Sequence, residues 1–315
     1  QATQTSVTIM RYFFVLFLNL TAATVCSIWH QYGTATAAVF NPQSFVLSNG
    51  MKVVVVPNHR APVVTQMVWY KVGSADEPQG KSGVAHFLEH LMFKATKNLK
   101  SGEFSKIVAR NGGRDNAFTS FDYTGYYQTI GIDRIEIVMK IEADRMRNLV
   151  FDSDEVETER QVIKEERRSR TDNSPSARLG EQLNAAMYLN YPYRHPIIGW
   201  ANEIDKLSLG DLKSFYNTYY WPNNSILVVA GDITAKILRP LAEKYYGKIP
   251  AGKVPKRSRP KEPPHDAARI VKLRDKRVIK PVWRQAFLAP SYVYGKFKHT
   301  YALQVLSQIF GEGAT

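Results

Sequence analysis

Gly83-Val84-Ala85-His86-Phe87-Leu88-Glu89-His90-Leu91-Met92-Phe93-Lys94 is the stretch from which the rest of the sequence is read. Ser82-Gly83 opens a helical pattern that continues through Met92. Residues four apart on a helix share a face, so His86 and His90 can both reach one ion. Two neutral imidazole nitrogens suit Zn²⁺. Glu89 projects near the same face without having to bind. It can take a proton from a water on the metal, whose pKa zinc lowers to about 7, and so free a hydroxide for attack on a carbonyl.

A catalytic zinc site has three protein ligands and one open position. Glu159-Arg160-Gln161-Val162-Ile163-Lys164-Glu165-Glu166 offers the third. Glu159 and Glu166 share a helix face two turns apart, whereas Glu165 is rotated about 100° from Glu166 and faces solvent. Spacing leaves open which of Glu159 and Glu166 binds and which supports a ligand from behind.

Around these two helices the pattern alternates between strand and helix. Phe45 to Pro57 reads as strand, Asn49-Gly50 turn, strand. Val63 to Val72 is a further β-rich run, and Asn116 to Ile132 is one strand or two. Helical spacing marks Phe104 to Asn111, Ile135 to Leu149, a long helix from an Asp152/Glu155 capping box to about Arg170, Leu179 to Leu189, Leu209 to Tyr220 and Lys236 to Tyr246. Ser225 to Ala230 is a short buried strand. The expected class is α+β, a mixed or antiparallel sheet packed by helices.

The first stretch resembles the active-site helix of the pitrilysin, insulysin and mitochondrial processing peptidase family of HxxEH zinc peptidases, most closely its bacterial processing-peptidase-like members. Asn111-Gly112-Gly113, Asn116-Ala117-Phe118-Thr119 with Asp122, and Asn223-x-x-Ile226 carry the same resemblance, which extends from about Phe40 to Thr315. Glu166 lies 76 residues after His90 in a Glu-Arg-x-Val-x-x-Glu-Glu context, as the family's third ligand does. The resemblance therefore implies His86, His90 and Glu166 as metal ligands, Glu89 as general base and Glu159 as the supporting glutamate. It implies one Zn²⁺ per chain and hydrolysis of peptides or unfolded proteins. Asn116, Ala117 and Phe118 match an edge strand to which a substrate peptide adds. Ala95 stands where the family commonly has Gly.

Residues 1–9 read as an upstream extension and 10–37 as a signal peptide: Met10-Arg11, an apolar run, then Ala35-Thr36-Ala37 as the cleavage site. A retained anchor is the alternative. The single cysteine, Cys26, falls inside that segment, so disulfide chemistry is excluded from the mature chain. Residues 38–250 are expected to form the peptidase domain, and 251–266, rich in Pro and Lys, a linker. Residues 267–315 then begin a second, homologous, inactive domain that stops early, with strand-like pattern at Arg269–Leu273. The family's Arg/Tyr pair, supplied by the second half or by a homologous partner chain or homodimer, is not found in the chain.

The net charge is +14 in 315 residues, and between 251 and 284 twelve Lys/Arg face three Asp/Glu. That run is Pro-rich and lacks interleaved aromatics before Trp283, which makes it a solvated linker rather than a nucleic-acid surface. His30 lies in the leader, and His59, His195, His265 and His299 lack ligand spacing. No stable membrane span is expected after cleavage, and the compartment is periplasmic or extracellular in a bacterium. A non-catalytic scaffold or partner subunit is the alternative function.

Overall fold

The computed structural model describes residues 40–292 and 297–312. The leader read at 10–37, with Cys26 and His30, lies outside the described residues.

Among the described residues six strands form one sheet. They are β1 (Gln43–Val46), β2 (Lys52–Pro57), β3 (Val63–Tyr70), β4 (Arg114–Thr119), β5 (Thr124–Gly131) and β6 (Ser225–Gly231), in the spatial order β1-β2-β6-β3-β5-β4. Only β2 and β6 pair in parallel; the other neighbours are antiparallel. The sequence dictates the faces. In β3, Val64, Gln66, Val68 and Tyr70 are buried while the residues between them are half-buried or exposed, the period-two signature of a strand covered on one face. β1 and β4 are the two edges.

In chain order the helices are α1 (Val84–Leu91), α2 (Glu103–Arg110), α3 (Ile135–Asn148), α4 (Ser153–Arg167), α5 (Pro175–Met187), α6 (Ala201–Ile204), α7 (Leu209–Tyr219), α8 (Ala235–Tyr245) and α9 (Thr300–Ser307), of which α1, α2, α3 and α8 pack against the sheet. α3 lies on β3 and β5, and α8 on α3 and β2. α1 is held by α4, α7 and β4 and buries Phe87, Leu88 and Leu91, each contributing about 1.5–3 kcal/mol.

A polar line crosses this apolar layer. Gln66 Nε2 donates to Gln128 Oε1 at 3.0 Å, Gln128 Nε2 donates to Glu142 Oε2 at 2.9 Å, and Arg145 Nη2 reaches the same Glu142 oxygen at 2.5 Å. The Arg145 guanidinium lies 4.1 Å from the ring centre of Phe104, and its Nη1 donates to the Met92 carbonyl at 3.4 Å. The middle of the sheet is thereby tied to the C-terminal end of α1.

Most expected elements are present, and three differ. Asp152 caps α4 by accepting from the amides of Asp154 and Glu155 at 2.9 and 3.0 Å, but Glu155 does not close the reciprocal half of the box. α4 then widens into a π turn, Arg168–Asp172. α5 starts at Pro175, four residues before the expected point, because Ser174 caps it and proline is favourable in a first turn. The strand expected at Arg269–Leu273 does not form. A strand needs a hydrogen-bonded neighbour, and here Arg269 instead donates to the Ala186 and Met187 carbonyls of α5, leaving Ile270 78% exposed.

Residues 251–292 contain no helix or strand but do not run free in solvent. Arg257 Nη2 lies 2.8 Å and Arg259 Nη2 3.0 Å from the Asp76 carboxylate, and Arg259 also pairs with Asp122. The Glu262 carboxylate accepts the amides of Leu189, Asn190 and Tyr191. Part of the basic run therefore has partners on the body, where the charge pattern suggested solvent alone.

Candidate metal centre

The site begins with the placement of α1. Gly83, its N-cap, has φ +90°, and a Cβ there would stand 2.7 Å from the Ile198 carbonyl oxygen. Conformation and contact both require glycine. The first amides of the helix find side-chain acceptors outside it, one near and one far along the chain. Glu77 accepts from Gly83 at 3.0 Å and from Ala85 at 2.9 Å, and Glu203 accepts from Ser82 at 2.7 Å. Burial pushes the Glu77 carboxyl pKa well up, against the pull of its two amide donors. Glu77 sits in the loop before the helix, and no spacing rule marks it in the sequence.

One turn into α1, His86 and His90 stack up the same face with ring centres 4.8 Å apart. α4 crosses opposite them. Glu166 Oε2 lies 3.2 Å from His90 Nε2 and 3.6 Å from His86 Nε2. One donor atom from each of His86, His90 and Glu166 falls within 4.8 Å of the others, the one such cluster of metal-binding side chains among the described residues. Glu159, two turns earlier on α4, faces the back of the site: its Oε1 lies 2.8 Å from His90 Nδ1, and its Oε2 lies 2.5 Å from Lys94 Nζ. Glu165 points outward and pairs with Arg168.

Glu89 lies beside the cluster, and Thr119 of β4 donates a hydrogen bond to its Oε2. Burial raises the Glu89 pKa, opposed by that bond. Among the described residues β4 pairs only with β5, so its other side is open there. Asn116 on it is exposed and accepts its neighbour's amide, from Ala117, at 2.8 Å. Ala117 packs toward the core. The Phe118 ring turns to the opposite face against Trp69, with centres 5.1 Å apart.

The donor set fits a zinc ion. Two imidazole nitrogens and a carboxylate oxygen converge, and His90's second nitrogen is occupied by Glu159, which turns its Nε2 inward. Burial, aided by the charge on His90, pushes His86 down to about 4, so its ring is neutral and free to bind. For His90, burial opposes the charge, but the bonds to Glu159 and Glu166 prevail and carry it up to about 9. The His90 bond likewise holds Glu166 below the ordinary carboxylate range. Two carboxylates around one imidazole call for positive charge at this point.

Two family models match the chain: insulinase (peptidase family M16) over residues 52–200, and the peptidase M16 inactive domain over residues 206–315. The chain belongs to the M16 peptidase family. Zinc protease PqqE of Helicobacter pylori is 40% identical over 278 residues, which cover 86% of this chain and 61% of PqqE. The crystal structure of a protease from Helicobacter pylori superposes with a TM-score of 0.66 at 41% identity, over 71% of this chain and 53% of that one. The periplasmic protease PqqL from Escherichia coli has the same TM-score at 28% identity, over 70% of this chain and 25% of its own. This M16 chain thus spans 61% of the curated relative and smaller shares of the two structures. The second family match begins inside the sheet-bearing body, since β6, at the middle of the sheet, follows residue 206.

Lys94 and Arg170 escaped the sequence reading, although spacing could have found them. Lys94 is four residues past His90, and Arg170 is four past Glu166, whose Oε1 it meets at 2.8 Å. His59 pairs with Asp232 at 2.6 Å, His265 lies 3.1 Å from Glu262, and His195 accepts from the Trp200 indole at 3.2 Å, all away from the cluster. Among the described residues no helix is long and apolar enough to cross a membrane.

Proposed function

We propose that this chain is the metal-bearing half of a zinc metalloendopeptidase that hydrolyses peptide bonds in peptides or unfolded proteins. The observation that carries the reading is the convergence of His86, His90 and Glu166 within 4.8 Å, beside Glu89 and next to an open strand edge. His86, His90 and Glu166 hold one zinc ion per chain. Zinc so held supplies Lewis acidity: it lowers the pKa of water to about 7 and stabilises negative charge on oxygen.

The chain's own groups do the rest. A substrate segment adds to the free side of β4 at Asn116, Ala117 and Phe118 by main-chain pairing, which grips without demanding a sequence. Glu89 removes the proton of the attacking water and returns it to the leaving amine. Glu159, backed by Lys94, holds the His90 ring in place.

The domain is proposed to close at residue 250, where Asn49 Nδ2 ties the first turn to the Ile249 carbonyl at 2.8 Å. Residues 251–266 would link it to a second, homologous domain beginning at 267. That second half, or a homologous partner chain or second copy, closes over the peptide and assists at its carbonyl. A periplasmic or secreted location follows the leader pattern at 10–37 and the location named for PqqL.

The test is an internally quenched peptide offered to the full-length, zinc-loaded chain. Internal cleavage is expected, falling by about 10²–10⁴-fold in Glu89→Gln with zinc retained. Zinc retained without hydrolysis would favour the non-catalytic partner subunit, and absence of zinc binding would remove the site altogether.

A further inference from the structure

Thr119 is the last residue of β4, the open edge strand, and it donates its hydroxyl hydrogen to Glu89 Oε2 on α1. We propose that Thr119 is a positioning residue for the base: it selects the conformation of Glu89 and assigns the two carboxylate oxygens different tasks. The inference rests on the reading of Glu89 as general base.

Glu89 has a long side chain with several rotamers, and fixing such a chain costs conformational entropy. Thr119 is its hydrogen-bond partner among the described residues. An ionised carboxylate only accepts, and a threonine hydroxyl has one hydrogen to give. With that hydrogen on Oε2, Oε1 keeps both its lone pairs open and is the better placed oxygen to accept a proton.

Thr119 is itself held firmly. It pairs with Thr124 on β5, and the turn beyond it closes with the Ser120 amide donating to the Tyr123 carbonyl at 2.8 Å. The chain after β3 clasps the same turn. The Ser74 amide donates to the Ser120 carbonyl at 3.0 Å, the Ala75 amide to the Phe121 carbonyl at 2.9 Å, and the Thr124 hydroxyl to the Val72 carbonyl at 3.0 Å. The approach is so close that a Cβ on Gly73 would stand 2.3 Å from the Ser120 oxygen. Arg259 pins the turn from outside through Asp122. Thr119 is therefore a fixed point, and the strand offered to the substrate is the strand that steadies the base.

The experiment compares the full-length, zinc-loaded wild type with Thr119→Val, which keeps the branched shape and strand preference, and Thr119→Ser, which keeps the hydroxyl. In T119V, kcat is expected to fall about ten- to a hundredfold, the scale of a misplaced catalytic group, with KM and zinc content within twofold of wild type. T119S restores kcat. Crystal structures of the three proteins give a readout apart from turnover, the Glu89 carboxylate leaving its wild-type position in T119V and keeping it in T119S. A T119V protein with Glu89 unmoved, or with wild-type kcat, overturns the proposal. Glu89→Gln tells the two readings apart. If it turns over normally, Glu89 is not the base and the underlying mechanism falls. If it is dead while T119V is normal, only the role of Thr119 falls.

Discussion

Lys94 Nζ lies 2.5 Å from one oxygen of Glu159, whose other oxygen lies 2.8 Å from His90 Nδ1. A single carboxylate on α4 thus bridges the ammonium and the imidazole of residues four apart at the end of α1. The lysine offsets the charge of Glu159 and helps hold its pKa below the ordinary value against the effect of burial. An ionised Glu159 accepts the Nδ1 hydrogen, which leaves Nε2, facing Glu166, as the nitrogen that can bind metal once it gives up its proton. Lys94→Met is therefore expected to weaken zinc binding by about tenfold, at the lower end of the 10–100-fold seen for outer partners of metal ligands. Competition against a chelator reads this directly, and an unchanged affinity would show that the lysine does not support the site.

The same charges set a pH dependence. Without metal, His90 titrates at about 9 and is protonated at neutral pH, while His86 titrates at about 4 and is not. Zinc needs both rings neutral. Binding at pH 7 should therefore release about one proton from His90, and affinity should rise by about tenfold per pH unit up to roughly pH 9. His86 adds a further loss only in strong acid. Calorimetry in buffers of different ionisation enthalpy counts the protons. Zinc uptake with no proton release would contradict the charge pattern around His90.

Glu77 should matter to stability and to the metal alike. It satisfies two of the free amides at the start of α1, from Gly83 and Ala85. Losing a cap of this kind costs about 0.5–2 kcal/mol. Glu77→Ala is expected to lower the denaturant midpoint accordingly and to loosen the end of α1 from which His86 projects, weakening zinc binding as well. Full stability in E77A would mean that solvent or Glu203 serves these amides equally well.

What was legible in the sequence is what repeats at short range. The β-rich run Val63 to Val72 gave a strand, whose buried face the structure then supplies. The four-residue interval gave His86 and His90 one face of a helix, and the seven-residue interval put Glu159 and Glu166 on one face of another. That Glu166 meets both histidines while Glu159 stands behind His90 depends on how α4 crosses α1, a tertiary fact that spacing alone left open. Glu77 capping α1 from a loop, Thr119 reaching Glu89 across 30 residues, and Arg259 reaching Asp122 across 137 depend on the assembled fold in the same way. Arg269–Leu273 has the composition of a strand, but pairing is not a local property, and beside α5 the segment stays single.

The buried pair of Glu142 and Arg145 offers the largest stability effect. Both side chains are fully enclosed, 2.5 Å apart, with Arg145 between the rings of Phe104 and Tyr126 at 4.1 and 4.6 Å. Removing one member leaves the other charge buried without its counter-ion, which costs about 3–5 kcal/mol. Arg145→Met keeps much of the volume and strands Glu142, so it should approach that figure in chemical denaturation. Because Arg145 also bonds the Met92 carbonyl at the end of α1, zinc affinity should fall with stability rather than independently of it. The double variant Arg145→Met with Glu142→Leu removes both charges together and should recover most of the loss. Should the double variant be as unstable as R145M, the ring contacts, the Met92 bond and the lost Gln128 bond to Glu142, and not the stranded carboxylate, would account for the effect.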